Sequence, residues 1–537
     1  MMHGARTSGR VGRALIIVGA CAFATTSSAA VPRVLAGWPV PAPSGAVLPG
    51  PDGGGVLVTE KSYRDYHPVE FWAAALHPGG RVLWNAGRFG PLCGNCEAGS
   101  IPTRAHPDGT FGPIADFGGD GAFLDRRGRK VGGCHEGVVG VDGTCIDFEY
   151  KPANGHGSTN PLVLRARRGP TTLWTFKDDV AYTASFYEAT GAASSLPVVG
   201  DTDGRVFVAF GTDDGGGWVL GVDAASGAPG WRAKAPMDSR AVAATASGVL
   251  VATHSTISLY TGGATPAWTA PVPPRWGTPV EVDREHNLIY VESGKSVVAL
   301  DAVTGSERWR SAPEDLARLL SLSGAGTAYL DINRGGARGL RAIGPDFQTR
   351  FDYPTLDAVI GARELADGTV IVSLDGNLAV RIDPARAASP PPSRPSVHAL
   401  HRSFIGTIIN HGNRNPACSA TKLSCETNRR VGVILRFDLP TPATIMVDLP
   451  GARLLKGDPV PAPSDAPVAG SYRFLAPAGT SFARFGPTGG DSGSLGVQRR
   501  AGGGINGAPT VGATRIVVRI KGHGRIVVPV RALRVRV

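Results

Sequence analysis

The sequence predicts an all-β chain: a β-propeller of eight blades, with seven as the alternative count, followed by a C-terminal β-sandwich. Three observations predict it. A turn-and-tryptophan phrase recurs at intervals near 40 residues over roughly the first 385 positions. Gly and Pro, 74 and 43 of 537 residues, leave little room for long helices. A proline-rich stretch, "PARAASPPPSRPS" (384–396), separates the repeats from a tail of different character.

The phrase is clearest in "VVALDAVTGSERW" (297–309). Val297 to Leu300 is an apolar, β-branched run suited to a buried strand, and Asp301-Ala302-Val303-Thr304-Gly305 supplies turn chemistry. Trp309 follows on the returning strand, where so large a ring gains most by burial against something beyond its own hairpin. "GVDAASGAPGW" (221–231) keeps Asp, Gly and Trp at the same offsets, and "AALHPGGRVLW" (74–84) keeps the Gly-to-Trp spacing. Looser copies end at Trp174, Trp268 and Phe351. The 90 residues from Trp84 to Trp174 hold two units, the weaker being "GGDGAFLDRRGRKVGG" (118–133), with Gly where Trp would fall. The last unit (356–385) lacks a Trp strand, whereas Trp38 has no strands before it. If the N-terminal strand completes the final blade, both anomalies disappear and eight outer strands are counted. The segment 313–324, the best helical candidate, reads as a short helical turn or an inner strand.

These repeats resemble the tryptophan-docking repeats of the pyrroloquinoline-quinone-like β-propellers, which include quinoprotein alcohol dehydrogenases and the non-enzymatic propeller lipoprotein of outer-membrane barrel assembly. The resemblance spans about residues 36–385, is close in two repeats and loose in four, and stops short of the C-terminal quarter. It implies a structural role between blades for Trp38, Trp84, Trp174, Trp231, Trp268 and Trp309. It also names a rival activity, because a quinone dehydrogenase of this family combines a calcium-held quinone, a carboxylate base and commonly a disulfide between adjacent cysteines. This chain has no Cys-Cys pair, no G-x-S-x-G and no H-E-x-x-H. Its acidic groups "DTDG" (201–204), "TDDGG" (212–216) and "DGN" (375–377) fall where hairpin turns are expected, and His135, His156 and His254 stand alone. The expectation is a non-catalytic binding or scaffold protein with no cofactor, metal or catalytic residue. A purely structural surface role is the further alternative.

Arg6, Arg10 and Arg13 before "ALIIVGACAFA" (14–24), with "SSAA" ahead of Val31, form a secretory signal pattern over residues 1–30. "VGAC" (18–21) also resembles a lipobox that would make Cys21 a lipid anchor; plain secretion is the preferred reading. Six cysteines remain after the signal, and an even number in an exported chain reads as disulfides. Cys418 and Cys425 should pair with each other, while the pairing of Cys93, Cys96, Cys134 and Cys145 stays open. "CGNC" (93–96) with Cys134-His135 offers a zinc or redox-dithiol alternative, against which the 37-residue gap matches no compact zinc module.

The expected organisation is therefore signal 1–30, propeller 31–385, linker 386–397 and sandwich 398–537. The sandwich reading rests on alternating segments such as "RVGVILRFDLP" (430–440), "ATIMVDL" (443–449) and "RIVVRIKGHGRIVVPVRALRVRV" (515–537). Charge divides the chain more sharply: residues 398–537 carry 19 Lys plus Arg against 6 Asp plus Glu, whereas 31–397 carry 33 against 38. A basic domain on an exported protein suits cell-envelope polyanion; without aromatic stacking or a recognition motif, specific nucleic-acid binding is not expected. Only nine of the 55 basic residues are Lys, so arginine decorating a solvated sandwich is the competing explanation. The expected partner is a protein or a cell-envelope polymer, and no stretch reaches the apolar length of a membrane span.

Overall fold

Strand formation dominates because the apolar runs are short, β-branched and separated by Gly-containing turns. The structure is a computed structural model and describes residues 31–89, 104–183, 199–409, 426–449, 470–485, 495–498 and 510–534, with internal breaks. Cys21, Cys93, Cys96, Cys134, Cys418 and Cys425, the segment 1–30, and His135 and His156 lie outside the described residues.

Between residues 32 and 387 the described strands form eight antiparallel sheets, each a meander in chain order. Sheets 1 to 8 occupy residues 46–89, 104–132, 138–183, 199–236, 240–270, 280–310, 318–355 and 359–387. The eighth is completed from the other end of the chain: Val34 pairs with Ile382 and Val40 with Ala379. The segment 313–324 divides into a 3₁₀ turn, Pro313–Asp315, and the first strand of sheet 7, Arg318–Leu322. Among the described residues no helix is long and apolar enough to cross a membrane.

A four-stranded sheet with apolar residues on both faces cannot bury them alone, so each sheet packs on its neighbours. The clusters record this pair by pair. Val56 and Ala75 of sheet 1 meet Phe111 and Leu124 of sheet 2. Phe123 meets Val139 across the next boundary, Leu164 meets Val208, Phe207 meets Val251, and Leu259 meets Val291. Tyr290 of sheet 6 packs with Leu330 of sheet 7, and Leu340 of sheet 7 with Val372 of sheet 8. Finally Ile371 and Ala379 of sheet 8, with Trp38, pack on Leu57 and Leu76 of sheet 1.

The repeated phrase fastens these boundaries. Trp268 of sheet 5 donates its indole N–H to the Ala302 carbonyl, 3.1 Å away, in the turn of sheet 6. There Gly305, at φ 72°, lies so close that a Cβ would stand 2.5 Å from the Trp268 ring. Trp174 repeats this with Ala224 (3.0 Å) and Gly227 of sheet 4, and Trp84 with Arg126 (2.8 Å) and Gly128 of sheet 2. Trp38 donates to Pro78 in the sheet 1 turn at 3.2 Å. Two docks differ: Trp231 lies against Gly262 with no indole hydrogen bond among the described residues, and Trp309 stacks on Phe347, which itself takes φ 63° where others have Gly. Each phrase thus holds both halves of a lock, its turn receiving the preceding sheet's tryptophan and its own tryptophan entering the next turn. In sheet 3 the corresponding turn glycine, Gly169, has open space where a Cβ would stand, because sheet 2 carries Gly in place of the tryptophan. The dock rim is set by the turn's carboxylate: Asp301 accepts from the amides of Val303 and Thr304, as Asp223 does from Ala225 and Ser226. The amide of Thr304 foremost holds the Asp301 carboxyl below the usual range, and the Ser226 hydroxyl does so for Asp223.

After sheet 8 the chain runs from the strand Leu378–Ala387 to Ser396, where two further sheets begin. One comprises Ser396–Ile409, Glu426–Leu439, Gly479–Phe485 and Leu495–Gln498; the other comprises Gly470–Ala476, Ala443–Leu449, Thr514–Ile520 and Gly524–Val530. Leu435, Phe437 and Ala483 of the first share a core with Ile445, Val447, Ile516 and Val518 of the second. Ile434 and Phe482, on the other face of the first, join the cluster between sheets 7 and 8, so the C-terminal sheets are seated on that boundary.

Of the six dock tryptophans only Trp38 and Trp268 are buried, so the largest cavity cost falls on these two. Trp268→Ala should lose about 3–5 kcal/mol in chemical denaturation and Trp309→Ala clearly less. Gly305→Ala should be worse than Gly368→Ala: both have positive φ, costing roughly 1–2 kcal/mol, but only Gly305 faces a ring. Equal losses at the two glycines would show that the turn does not hold the tryptophan.

A second comparison reads satisfaction of a buried hydroxyl. Tyr329 donates to Glu364 at 2.7 Å, whereas Tyr290, at the matching register of sheet 6, has no hydrogen-bond partner among the described residues. The reason is sequence: Leu322, opposite Ala328, stands where Glu364, opposite Val370, stands one sheet later. Tyr329→Phe should therefore destabilise by about 1 kcal/mol or more and Tyr290→Phe should be neutral or stabilising by thermal melting.

Candidate functional site

The meander puts two kinds of turn at each end of every sheet. Turns joining strands one to two and three to four lie at one end, and these are the short Asp-Gly turns and the tryptophan docks. At the other end lie the turns joining strands two to three and the connectors between sheets, some of which are held by buried ion pairs. That second end is the candidate functional face.

Its groups are held by neighbouring connectors. Glu292, at the end of a sheet 6 strand and 1% exposed, accepts from the Arg275 guanidinium at 2.8 Å. Arg275 also donates its backbone N–H to the Glu292 carbonyl, so one connector is tied twice. Asp315, in the connector before sheet 7, is buried between Arg334 (2.5 Å) and Arg341 (2.9 Å), and Arg341 reaches on to Asp352. This fixed carboxylate leads directly into Leu316, an exposed residue in the left-handed region (φ 42°). Leu316 is thus an exposed leucine in a strained backbone conformation directly after a buried ion pair. His254 is satisfied locally: its backbone N–H donates to Asp238 Oδ2, and its ring Nδ1 meets the same oxygen, each at 2.9 Å.

The most perturbed carboxyl is Asp357, in the three-residue connector from sheet 7 to sheet 8. Burial pushes it up to about 7, the nearby Asp375 adds to this, and Arg338 opposes it. The connector is pinned at three places: Thr355 Oγ1 donates to the Asp357 carbonyl, Asp375 N–H to the Ala358 carbonyl, and Val359 N–H to Asp331 Oδ1. Asp331 is itself raised by burial, against the pull of that N–H and of Arg318 and Arg338. Leu356, the residue before Asp357, packs on the C-terminal core. A carboxyl that changes charge near neutrality therefore sits where the C-terminal sheets meet sheets 7 and 8.

The residues singled out from sequence divide. The six tryptophans belong to the docks at the opposite end. Cys145 is disulfide-bonded, with its partner outside the described residues. Of the acidic groups Asp375 lies at a turn, and Thr212 closes another through its N–H to the Gly216 carbonyl; Asp201, Asp203, Asp213 and Asp214 lie outside the described residues. No group of three or more metal-ligating side chains occurs among the described residues. Sequence reading passed over Glu292, Asp315 and Asp357 because a single acid in a connector has no motif.

No protein-family model and no curated protein matches the chain. Among solved structures, the Dos1 propeller is similar over 67% of this chain and 97% of its own, at 11% identity and TM-score 0.41. The WD40 propeller domain of Doa1 matches over 52% and 88%, at 14% and 0.27, and a protein of unknown function from Bacteroides caccae over 56% and 93%, at 12% and 0.29. At these identities and scores none of them bears on what this chain does.

The placement of Asp357 has a measurable sign. Its folded pKa lies above the ordinary carboxylate value of about 4, so the native state holds this proton more tightly than the unfolded chain. The stability it contributes is present below about pH 4 and is lost as pH rises towards 7. Asp357→Asn should flatten that fall, melting higher than wild type at pH 8 and alike at pH 4; parallel profiles for the two proteins would overturn the assignment.

Proposed function

We propose that this protein is an exported, non-catalytic binding scaffold: sheets 1–8 are the blades of a closed eight-bladed propeller of the pyrroloquinoline-quinone-like class, and a basic C-terminal β-sandwich localises it to cell-envelope polyanion. On this reading residues 1–30 are a secretory signal, 31–385 the propeller, 386–397 the linker and 398–537 the sandwich, with Cys418 and Cys425 paired. The observation that carries it is the way the candidate face is built. Glu292 and Asp315, its two most deeply buried carboxylates, are each committed to arginines that brace connectors, which is scaffolding rather than acid–base chemistry. Such a frame offers its connectors, and Leu316 in particular, to a protein or envelope-polymer partner. The asymmetry of charge, concentrated beyond residue 397, supports a division of labour between the two parts.

One observation favours the rival reading of a quinone dehydrogenase, namely that Asp357 has the proton affinity of a base working near neutrality. Two measurements separate the readings. Incubated with pyrroloquinoline quinone and calcium, then desalted, the protein should neither keep the quinone's absorbance nor reduce an artificial acceptor with alcohols or sugars. Pulled down on envelope fractions, it should bind, and binding should weaken as salt is raised, because exposed charges are screened over roughly 10 Å at 0.1 M. Quinone retention with turnover would replace the scaffold by an enzyme, and salt-insensitive binding would move the contact from the basic domain to the propeller.

A further inference from the structure

Resting on the basic localising domain just proposed, we infer that the docking surface is the outward face of the sheet formed by Gly470–Ala476, Ala443–Leu449, Thr514–Ile520 and Gly524–Val530, and that it takes a linear polymer of phosphate groups. Alternation fixes which side chains face out. Ile445, Val447, Ile516, Val518 and Ile520 point into the shared core, so the residues between them face solvent. Register then aligns the cations. Arg473 stands opposite Met446, Met446 opposite Arg519, and Arg519 opposite Arg525. These positions form one row across all four strands, about 14 Å long at the usual strand spacing. Arg473, Arg519 and Arg525 are exposed, and so is Lys521, whose backbone N–H bonds Thr444 beside the row.

Two like charges directly opposite each other weaken a sheet, and Arg519 against Arg525 is such a pair. Asp448, which meets Arg519 at 2.5 Å, is the one acid facing out among the described residues of this sheet, against three exposed arginines and Lys521. The arrangement is unfavourable for the isolated fold and favourable once a row of anions lies along it. Guanidinium forks match phosphate oxygens two at a time, which a row of arginines with a single lysine exploits better than lysines would. A lipid surface fits less well. The exposed apolar residues, Leu475 and Val527, occupy diagonally opposite corners, since Leu475 is beside Thr444 on one edge strand and Val527 beside Val517 on the other. They form no continuous patch to insert between headgroups. No aromatic side chain faces out among the described residues of this sheet, so the backbone charge, not a base, is what it reads.

The test uses the full chain and three probes: linear inorganic polyphosphate, poly-glutamate, and phosphatidylcholine vesicles containing phosphatidylglycerol. Wild type should bind polyphosphate most tightly and lose affinity steeply with salt. The triple variant R473Q/R519Q/R525Q should bind at least about tenfold more weakly with a shallower salt slope, while R81Q/R127Q/R394Q, with the same charge change on exposed arginines elsewhere, should bind as wild type. Unchanged melting of both variants shows that the face, not the fold, was altered; if the first triple fails to fold, R473Q/R525Q, which spares the Arg519–Asp448 contact, is read instead. Equal loss in both triples would show that net charge rather than this face is read, and loss only in the second would move the contact out of the basic domain; either would overturn the face. Tighter binding to vesicles or to poly-glutamate would overturn the phosphate polymer. Absence of binding to all three probes and to envelope fractions would end the localising reading and this inference together.

Discussion

Everything in the repeat region depends on one constraint: a four-stranded sheet that is apolar on both faces is stable only between two others. The clusters meet that constraint at every boundary, including the one between sheet 8 and sheet 1, where residues near both ends of the region are brought together. The tryptophan docks turn a general tendency to pack into a fixed register. An indole N–H aimed at one carbonyl, with a glycine beneath the ring, tolerates little sliding between neighbours. Positive φ and absence of a Cβ are both used at Gly305, which is why the phrase keeps that residue.

With rigidity supplied at one end of the sheets, the other end is free to vary. Its connectors differ in length and sequence, yet are anchored by buried acids paired to arginine, as at Asp315 and Glu292. Isolated surface ion pairs contribute little, but a carboxylate this deeply buried would be costly without its cation, so the pairing is part of the fold. The same logic explains Asp357 by contrast. Burial raises its pKa first and another acid, Asp375, next, while its neighbour Leu356 packs on the C-terminal core. Its raised proton affinity thus stands where the two parts of the chain meet.

Much of this was legible in particular residues. The Asp, Gly and Trp spacing at 301–309 named the strand, the turn and the return, and the unpaired Trp38 pointed to a strand borrowed by the last sheet. The proline-rich 384–396 marked the change of architecture, and the arginine count beyond it marked the change of charge. What the spacing could not give was the partner of each tryptophan. Within one phrase Gly305 and Trp309 look like a pair, whereas Gly305 receives Trp268 and Trp309 goes to Phe347. Nor could it show that Tyr290 and Tyr329, matched in register, differ in having a partner, since that is settled by Leu322 and Glu364 on the following sheets.

The sequence by itself determined the strand content, the repeat and its period, the break near residue 390 and the uneven charge, because each is a property of neighbours along the chain. Tertiary structure alone decided which turn each indole enters, which acids are neutralised by arginine, and that Arg473, Arg519 and Arg525 share one row. Those depend on register between strands and on packing between sheets, where residues far apart in sequence become neighbours. A periodic pattern specifies which side chains must be buried, and only the closed set of contacts specifies against what.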